Sequence, residues 1–366
     1  MSLATNLVLV DIGVGVGLLA VALKGLISGH KGAATQVQIA VGSGAPNMGG
    51  SVPHVAVFDE SGSRIGMYQG NENGHIDSPH VSTISIENSF AGGKEKQAEY
   101  LMLSMHESDA ICVSMVAVAG DGAQWTWLGD MGKRCDADWY PSNFKLGDGT
   151  YTPACVWLDA DHTKSKSGKI KAQGFALHMP DFSGADGRAA QYSDNPDTLC
   201  KSRERMTFYP ELGPDPIPPV FNPPLQYTED GADTDIKRIV NRKTKLYPNT
   251  PSRTKRNQIS KRQDRNLDSE HLVVSDNPLH SAKEVCEHPS ALGWDFVSTV
   301  EGTYCDISSG FWWYLCSEKN SQGCFDLEKK AMRGNEPGHK GLQGRDDMSN
   351  GKFPDKSYNT TTRWNH

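Results

Sequence analysis

The chain has 366 residues, of which 37 are basic and 44 acidic, for a formal charge of -7. This length allows two domains with a core each, and the negative balance argues against a general attraction to nucleic acid. The 37 glycines, 20 prolines and hydrophobic fraction of 37% favour short strands and turns over long helices. We therefore predict a mainly β protein with no nucleic-acid partner.

Residues 1–34 contain the most apolar segment of the chain, in which Ile12 to Leu23 carries no charge. A hydrophobic helix of this length suits a secretory signal, with the small residues Gly32, Ala33 and Ala34 before the expected cleavage site. One alternative is an uncleaved membrane anchor that contacts the bilayer through residues 7–27, because GxxxG spacings there are typical of packed membrane helices. A buried soluble helix is the other alternative.

Residues 35–205 show the period-two alternation of half-buried strands. Eight segments carry it and are separated by glycine-rich connections: VQIAV, VPHVAVF, VSTISIE, YLMLSMHE, ICVSMVAVA, QWTWLG, ACVWLD and QGFALHM. Seven to nine short strands with turns between them favour an antiparallel β-sandwich domain.

Residues 206–270 are predicted to be a linker that is rich in proline and then in basic residues. Seven prolines lie between positions 210 and 224, and proline cannot donate to a sheet and disfavours helix. Between Lys237 and Arg265 there are then eleven basic residues against one acid, Asp264. The pattern indicates a stiff, extended connector followed by a polar run.

Two Lys-Arg pairs in this linker, Lys255-Arg256 and Lys261-Arg262, are typical of kexin-type processing sites. Such a protease needs an exposed backbone that can extend into its cleft, and the linker supplies one. The alternative is an uncut, solvated basic linker, or a patch for anionic lipid or polysaccharide. Cleavage after Arg262 would separate two pieces with four cysteines each.

The eight cysteines fall into two groups: Cys112, Cys135, Cys155 and Cys200 come first, and Cys286, Cys305, Cys316 and Cys324 follow the linker. The absence of a CxxC pair argues against a zinc ribbon or a thioredoxin-type redox site. Two even sets predict disulfides within each half and therefore an exported, extracellular protein. Eight reduced, buried thiols are the alternative.

Residues 271–332 are predicted to form a small disulfide-rich α+β module, with Asn277 and Pro278 starting a helix. It has eight aromatic residues between Trp294 and Phe325, and we interpret them as core residues because so small a module needs large side chains to fold. The alternative is a surface that binds a protein or a carbohydrate through Trp312 and Trp313.

The tail, residues 333–366, lacks periodic apolar positions and is predicted to be largely disordered. It contains Asn359, which begins an N-glycosylation sequon.

Asp159, Asp161 and His162 lie together in a predicted loop and are the candidates for a metal or catalytic site. Asp159 and Asp161 have the i, i+2 spacing of calcium ligands, but the glycine and the final acid of a calcium loop are missing. The solvated-turn interpretation is therefore preferred, and no cofactor is predicted beyond this calcium hypothesis. His75 and His178 are among six scattered histidines that could approach a carboxylate in space.

The chain resembles secreted proteins of filamentous fungi in its Lys-Arg sites, its apolar N-terminus and the segment CEHPSALGWDFVSTVEGTYCDISSGFWWYLCSEKNSQGCFD. This resemblance implies no activity. The first half of the chain is also similar to lipoxygenase-homology sandwich domains. This likeness covers about a hundred residues and includes the segments VPHVAVFDESGSRIG and ICVSMVAVAGDGAQWTWLGDMG. That second resemblance implies binding to membranes or protein partners.

The favoured function is a secreted, processed binding or interaction protein at a cell surface, wall or host interface. Its partner would be a protein or a carbohydrate. A secreted hydrolase that uses Asp159, Asp161 or His162 is one alternative, and a membrane-active toxin that uses the N-terminal helix is another. A membrane-anchored form with extracellular domains remains the alternative location.

Overall fold

The structure is a computed structural model. It describes residues 4–11, 16–23, 34–70, 74–91, 96–120, 123–147, 149, 151–165, 167–212, 216–234, 270–334 and 356–365. In this part of the chain the fold is mainly β, as predicted, and no described helix is both long enough and apolar enough to span a bilayer.

Among the described residues up to position 234, the elements are seventeen strands, three short α-helices and two 3-10 helices at Ser89–Ala91 and Met179–Phe182. The strands are β1 (Ala4–Asp11), β2 (Val16–Leu23), β3 (Ala34–Val41), β4 (Gly50–Ser51), β5 (His54–Phe58), β6 (Arg64–Tyr68), β7 (His75–Ile76), β8 (Val81–Glu87), β9 (Tyr100–Ser104), β10 (Ile111–Gly120), β11 (Ala123–Leu128), β12 (Trp139–Tyr140), β13 (Cys155–Leu158), β14 (Lys164–Ser165), β15 (Gly168–Lys169), β16 (Gly174–His178) and β17 (Met206–Tyr209). The α-helices are α1 (Gly129–Arg134), α2 (Asp186–Asp194) and α3 (Asp197–Cys200).

Two antiparallel sheets form the predicted sandwich. One has the order β12-β13-β10-β3-β8, with β11 also paired to β10, and the other has the order β17-β16-β9-β5-β6. All eight segments with period-two alternation form strands of these sheets. Their inward-facing side chains make the main core, as with Val37, Ile39 and Val41 of β3, which are fully buried.

The described residues of the N-terminal segment form strands, so the predicted helix is not what the structure has there. β1 and β2 pair as an antiparallel hairpin. Leu9 belongs to the main core, and Asp11 lies 3.2 Å from the guanidinium of Arg134. Valine-rich segments with a glycine-rich connection suit a hairpin as well as a hydrophobic helix. Removal of a signal peptide before Thr35 stays a prediction.

The first half of the predicted linker belongs to the sandwich domain. β17 lies within it, and residues 216–234 pack on the domain through Phe221 and Leu225, which are 5% and 9% exposed. The hydroxyl of Tyr100 accepts a hydrogen bond from the Phe221 backbone at 2.9 Å. Prolines exclude this segment from a sheet interior, but an extended chain can still lie across a sheet and bury its apolar side chains.

The second module, residues 270–334 and 356–365, contains seven strands and one helix. They are β18 (His271–Ser275), α4 (Ala282–Glu287), β19 (Asp295–Ser298), β20 (Thr303–Asp306), β21 (Phe311–Tyr314), β22 (Cys324–Asp326), β23 (Ala331–Arg333) and β24 (Thr360–Trp364). Five of the strands form one sheet in the order β21-β20-β19-β18-β24, in which β18 runs parallel to both of its neighbours.

Helix α4 begins later than predicted. Its N-cap is Ser281, whose hydroxyl accepts a hydrogen bond from the Glu284 backbone at 3.1 Å. Asn277 instead forms a turn, with its side-chain oxygen accepting from the Leu279 backbone. Asparagine and serine are both favoured as N-cap residues. Ser281 also has Glu284 at the third helical position, which is the pattern of a capping box.

The prediction of a disordered tail over residues 333–366 is wrong for residues 356–365. β24 adds to the sheet beside β18, and Trp364 is 1% exposed. Three consecutive threonines have high β propensity, but Trp364 is the one large apolar side chain that strand β24 buries, so no period-two pattern marks it.

The two halves share a core, a point that the sequence left open. One buried cluster combines Trp139, Tyr140 and Trp157 of the sandwich with Trp294 and Phe296 of the second module. Trp157 donates through its indole nitrogen to the Leu292 carbonyl at 2.8 Å. A short ladder of backbone bonds also joins Trp139 to residues 290 and 292.

The disulfides follow the predicted division into two sets. Their pairs are Cys112–Cys155, Cys135–Cys200, Cys286–Cys305 and Cys316–Cys324. All eight cysteines are paired, so no disulfide joins the two halves. Four disulfides are typical of an extracellular protein.

Candidate functional site

An open groove of about 920 Å³ lies where the two halves meet, and we call it the junction groove. Three loops of the sandwich domain line it, at residues 43–49, 75–79 and 143–145, and Thr362 of β24 adds a wall from the second module. Small-molecule sites have volumes of roughly 300–1,000 Å³, so the groove is large enough for a ligand of several rings.

Ser142 holds two of these loops together. It is fully buried, and its hydroxyl oxygen accepts hydrogen bonds from the backbone N–H of Ser43 at 3.1 Å and of Phe144 at 3.0 Å. A backbone bond from Asn143 to the Ser43 carbonyl completes the connection. Rigid loop bases of this kind fix the relative position of the side chains above them.

Gly44 allows the second module to approach the groove closely. The indole nitrogen of Trp364 donates to the Gly44 carbonyl at 2.6 Å. Gly44 has a φ of 93°, and a Cβ there would lie 2.2 Å from that nitrogen. Any other residue would strain the backbone and displace Trp364, so the contact between loop and strand depends on this glycine.

His75 lies between two carboxylates at one side of the groove. Its Nδ1 is 3.2 Å from Asp109, which is buried, and its Nε2 is 3.4 Å from Asp77, which is exposed. The buried carboxylate orients the imidazole ring, and the opposite nitrogen faces the solvent side. Lys145, in the third of these loops, is exposed, and its ammonium donates to the Asn365 carbonyl at 3.3 Å.

The groove therefore offers both signs of charge together with neutral hydrogen-bonding groups. Asp77, His75 and Lys145 line it together with the hydroxyls and amides of Ser43, Asn47, Ser78, Asn143 and Thr362. Such a mixture suits a ligand with many hydroxyl or amide groups better than an apolar one.

The Asp159 loop lies outside the groove and is bonded within itself. The fully buried carboxylate of Asp159 accepts from the backbone of Thr163 at 2.5 Å and of Asp161 at 3.4 Å. Burial raises its pKa to about 7. His162 has a φ of 58° and bonds the Ile170 carbonyl at 3.1 Å, while burial lowers its pKa.

The geometry of this loop is that of a turn, as preferred from the sequence, but Asp159 is buried in it rather than solvated. The Asp159 oxygens are directed at loop N–H groups, as in an Asx turn. Among the described residues, no group of three histidine, cysteine or acidic side chains is placed to hold a metal ion. In the described part of the chain, Asp159, Asp161 and His162 therefore form no such ligand set for the calcium hypothesis, and they lie apart from the junction groove.

The two candidate binding tryptophans are mostly buried. Trp312 is 8% exposed and donates to the Glu287 carboxylate at 3.0 Å, and Trp313 is 7% exposed and stacks on Tyr304. Tyr314, which is 42% exposed, is the accessible ring of this strand. The arrangement favours the core role over the binding role.

His178 belongs to a buried charge network. Asp181 is fully buried, contacts Arg205 and lies 2.8 Å from the imidazole Nδ1 of His178. Burial alone would raise the pKa of Asp181, but Arg205 and His178 hold it well below its usual range. Arg205 also pairs with Asp233. The network fastens the segment that precedes the basic run to the domain, which is a structural role.

The remaining predicted sites lie at the surface or beyond the described residues. Asn359 is exposed at the start of β24, and its amide contacts Glu270. Lys255, Arg256, Lys261 and Arg262 fall outside the described residues. Of the groove residues, only His75 was a candidate from the sequence. The loop GSGAPNMGG has the composition of a connection between strands, and its turn residues form no motif that is typical of a binding site.

The chain matches no protein-family model and no curated protein. Among solved structures it is similar to a Delta413-417:GS LOX crystal structure, with 9% identity and a TM-score of 0.21 over 36% of this chain and 17% of that one. An anaerobic structure of that LOX in complex with arachidonate gives the same values. The chain thus spans less than a fifth of those structures, and at this TM-score the likeness carries no argument about its fold or function.

Proposed function

We propose that this protein is a secreted binding protein that holds a carbohydrate of a cell surface, wall or host interface in the junction groove. The observation that carries the proposal is the groove itself, which is built by both halves and lined by amide, hydroxyl, imidazole, carboxylate and ammonium groups. Sugar hydroxyls donate and accept hydrogen bonds at once, so they match such a lining.

The extracellular setting is supported by the four disulfides, which persist in oxidising compartments. Export through the N-terminal segment, cleavage at the Lys-Arg pairs and a glycan on Asn359 complete the proposal. The exposed position of Asn359 is compatible with modification.

Processing between the halves leaves the groove intact in this proposal. Thr362 comes from the second module and the three loops come from the sandwich domain, and the shared core holds them together. The cut form and the uncut chain should therefore both bind.

The test is calorimetric titration of the purified full chain with a panel of soluble wall and surface oligosaccharides. We expect one class to bind, and we expect Asp77→Asn and Lys145→Ala each to weaken it at least tenfold, which is about 1.4 kcal/mol. Glu318→Gln and Lys319→Ala are the matched controls, since both residues are exposed and neither lines the groove.

Unchanged affinity in both groove variants would contradict the placement of the site. If no oligosaccharide binds but capture of a protein partner is lost in the same two variants, the site is retained and the ligand class is wrong.

A further inference from the structure

Lys356, Asp295 and Asp306 meet inside the second module. The Lys356 ammonium lies 3.0 Å and 2.8 Å from the two carboxylate oxygens of Asp295, and it also contacts Oδ1 of Asp306. Asp295 opens β19 and Asp306 closes the neighbouring strand β20. Lys356 arrives from the chain just before β24, and its side chain is 25% exposed.

The surroundings of the two carboxylates are buried and aromatic. The Asp295 and Asp306 side chains are 7% and 4% exposed, and the ring of Tyr304 stacks on Phe325 at 3.9 Å. Two carboxylates facing one ammonium leave an excess negative charge in this interior, which is unfavourable. A neutral covalent product would remove a charge pair from it.

The two carboxylates are not equivalent. Asp306 Oδ1 caps the turn that follows it, accepting from the backbone and hydroxyl of Ser308 and from the backbone of Ser309. Asp295 presents both of its oxygens to Lys356, and its Oδ1 also accepts from the Ile307 backbone at 3.0 Å. Its Oδ2 also receives the hydroxyl of Tyr358, and that of Tyr304 at 3.4 Å.

We propose that Lys356 and Asp295 join in an intramolecular isopeptide bond, with Asp306 as the proton carrier. Asp306 takes a proton from the ammonium and passes it to the Asp295 carboxylate, and the free amine then attacks the carboxyl carbon of the protonated Asp295. The N–C bond forms and one C–O bond breaks. The departing oxygen leaves as water with two of the three ammonium protons, so no oxidant or other reactant is needed.

The arrangement provides the elements that this condensation requires. Nucleophile and carboxyl group are held at contact distance, which replaces a bimolecular encounter by an intramolecular one. The hydroxyls of Tyr358 and Tyr304 are placed to donate to the oxygen on which negative charge develops. Burial, together with the neighbouring Asp306, raises the pKa of Asp295 and favours its neutral, reactive form.

The resting state opposes the reaction in one respect. Burial alone would lower the pKa of Lys356, but Asp295 and Asp306 raise it, so the cluster starts as an ion pair. This is why the second carboxylate is essential in the proposal, because it can take the proton from Lys356 and pass it to Asp295.

The decisive measurement is made on the unaltered full chain. Intact mass should be lower by one water than the sequence mass after the disulfides and any glycan or processing are counted. A proteolytic digest should contain a branched peptide that joins Lys356 to Asp295. A linear Lys356 peptide from correctly folded protein would overturn the proposal.

Two variants test the roles. Lys356→Arg keeps the positive charge and Asp306→Asn keeps the shape of the acid, and both should recover the missing water while remaining folded. Persistence of the branched peptide in Asp306→Asn would overturn the assigned role of Asp306.

The ion pair of Lys171 with Asp138, at 2.7 Å, is an internal control because its lysine is half exposed. It should appear unlinked in the same digest. Equal cross-linking of this pair would show dehydration during preparation and would overturn the proposal.

Discussion

Tyr140 of the sandwich domain donates its hydroxyl hydrogen to the backbone carbonyl of Trp294 in the second module, at 2.9 Å. The two rings also meet edge to face, with their centroids 5.3 Å apart. Both side chains are almost wholly buried. The pair shows that the halves on either side of the basic run are packed as one body.

From this packing we predict that the protein stays assembled after cleavage at Lys255-Arg256 or Lys261-Arg262. The cut pieces should elute together in native gel filtration, because the shared core holds them. They should separate in denaturant without any reducing agent, since every disulfide lies within one half. Separation of the native pieces would contradict the shared core, and co-migration in denaturant without reductant would contradict the disulfide assignment.

Tyr140→Phe should lower the free energy of unfolding by about 1–3 kcal/mol, because it leaves the buried Trp294 carbonyl without its hydroxyl donor. Chemical denaturation measures the change. Tyr314→Phe is the matched control, since the Tyr314 side chain is 42% exposed and the same change there should alter stability by less than about 0.5 kcal/mol.

Trp313→Ala should destabilise the protein by about 3–5 kcal/mol, as expected for loss of a buried tryptophan. Tyr314→Ala, at the next and more exposed position, should have a much smaller effect. Thermal and denaturant unfolding distinguish the two variants. A Trp313→Ala protein of normal stability that no longer captures a partner would instead assign Trp313 to binding.

Asp181→Asn should be destabilising by about 3–5 kcal/mol at pH 7, because it leaves Arg205 buried with fewer carboxylate contacts. The folded-state pKa of Asp181 is lowered. Its ionised form therefore contributes fully above the unfolded pKa of about 3.9, and this contribution is lost as the pH falls towards the folded value. The stability gap between the native and variant proteins should accordingly narrow below about pH 4 in a urea series. A constant gap down to pH 2 would contradict the ion-pair assignment.

Asp159 should show the opposite dependence. Its folded-state pKa is raised to about 7 by burial, so the folded protein retains a proton that the unfolded chain releases near pH 4. Stability should fall as the pH rises from about 4 to 7, and Asp159→Asn should remove this part of the slope. Denaturation midpoints across that range provide the measurement, and identical slopes in both proteins would count against a buried, protonated Asp159.

The strands were predictable where one face is buried, as in β3, because alternation of Val37, Ile39 and Val41 reports a one-sided core. The division of the cysteines into two sets was predictable for a similar reason, since it depends on positions along the chain.

The junction between the halves was not predictable. It depends on a second buried face of β13, where all four residues are buried, and such a continuous apolar run does not reveal its partner. The groove depends in turn on that junction, and its lining consists of loop residues without periodicity. β24 escaped prediction because its contribution to the core is concentrated in Trp364.

The core shared by the two halves constrains when processing can occur. Before any cut, the linker keeps the two halves at a high effective concentration, so this shared core forms within one molecule. Once the linker is cut, an unfolded protein must find its other piece by diffusion. Refolding of the cut form should therefore slow on dilution, whereas that of the uncut chain should not, so the proposed processing would have to follow folding.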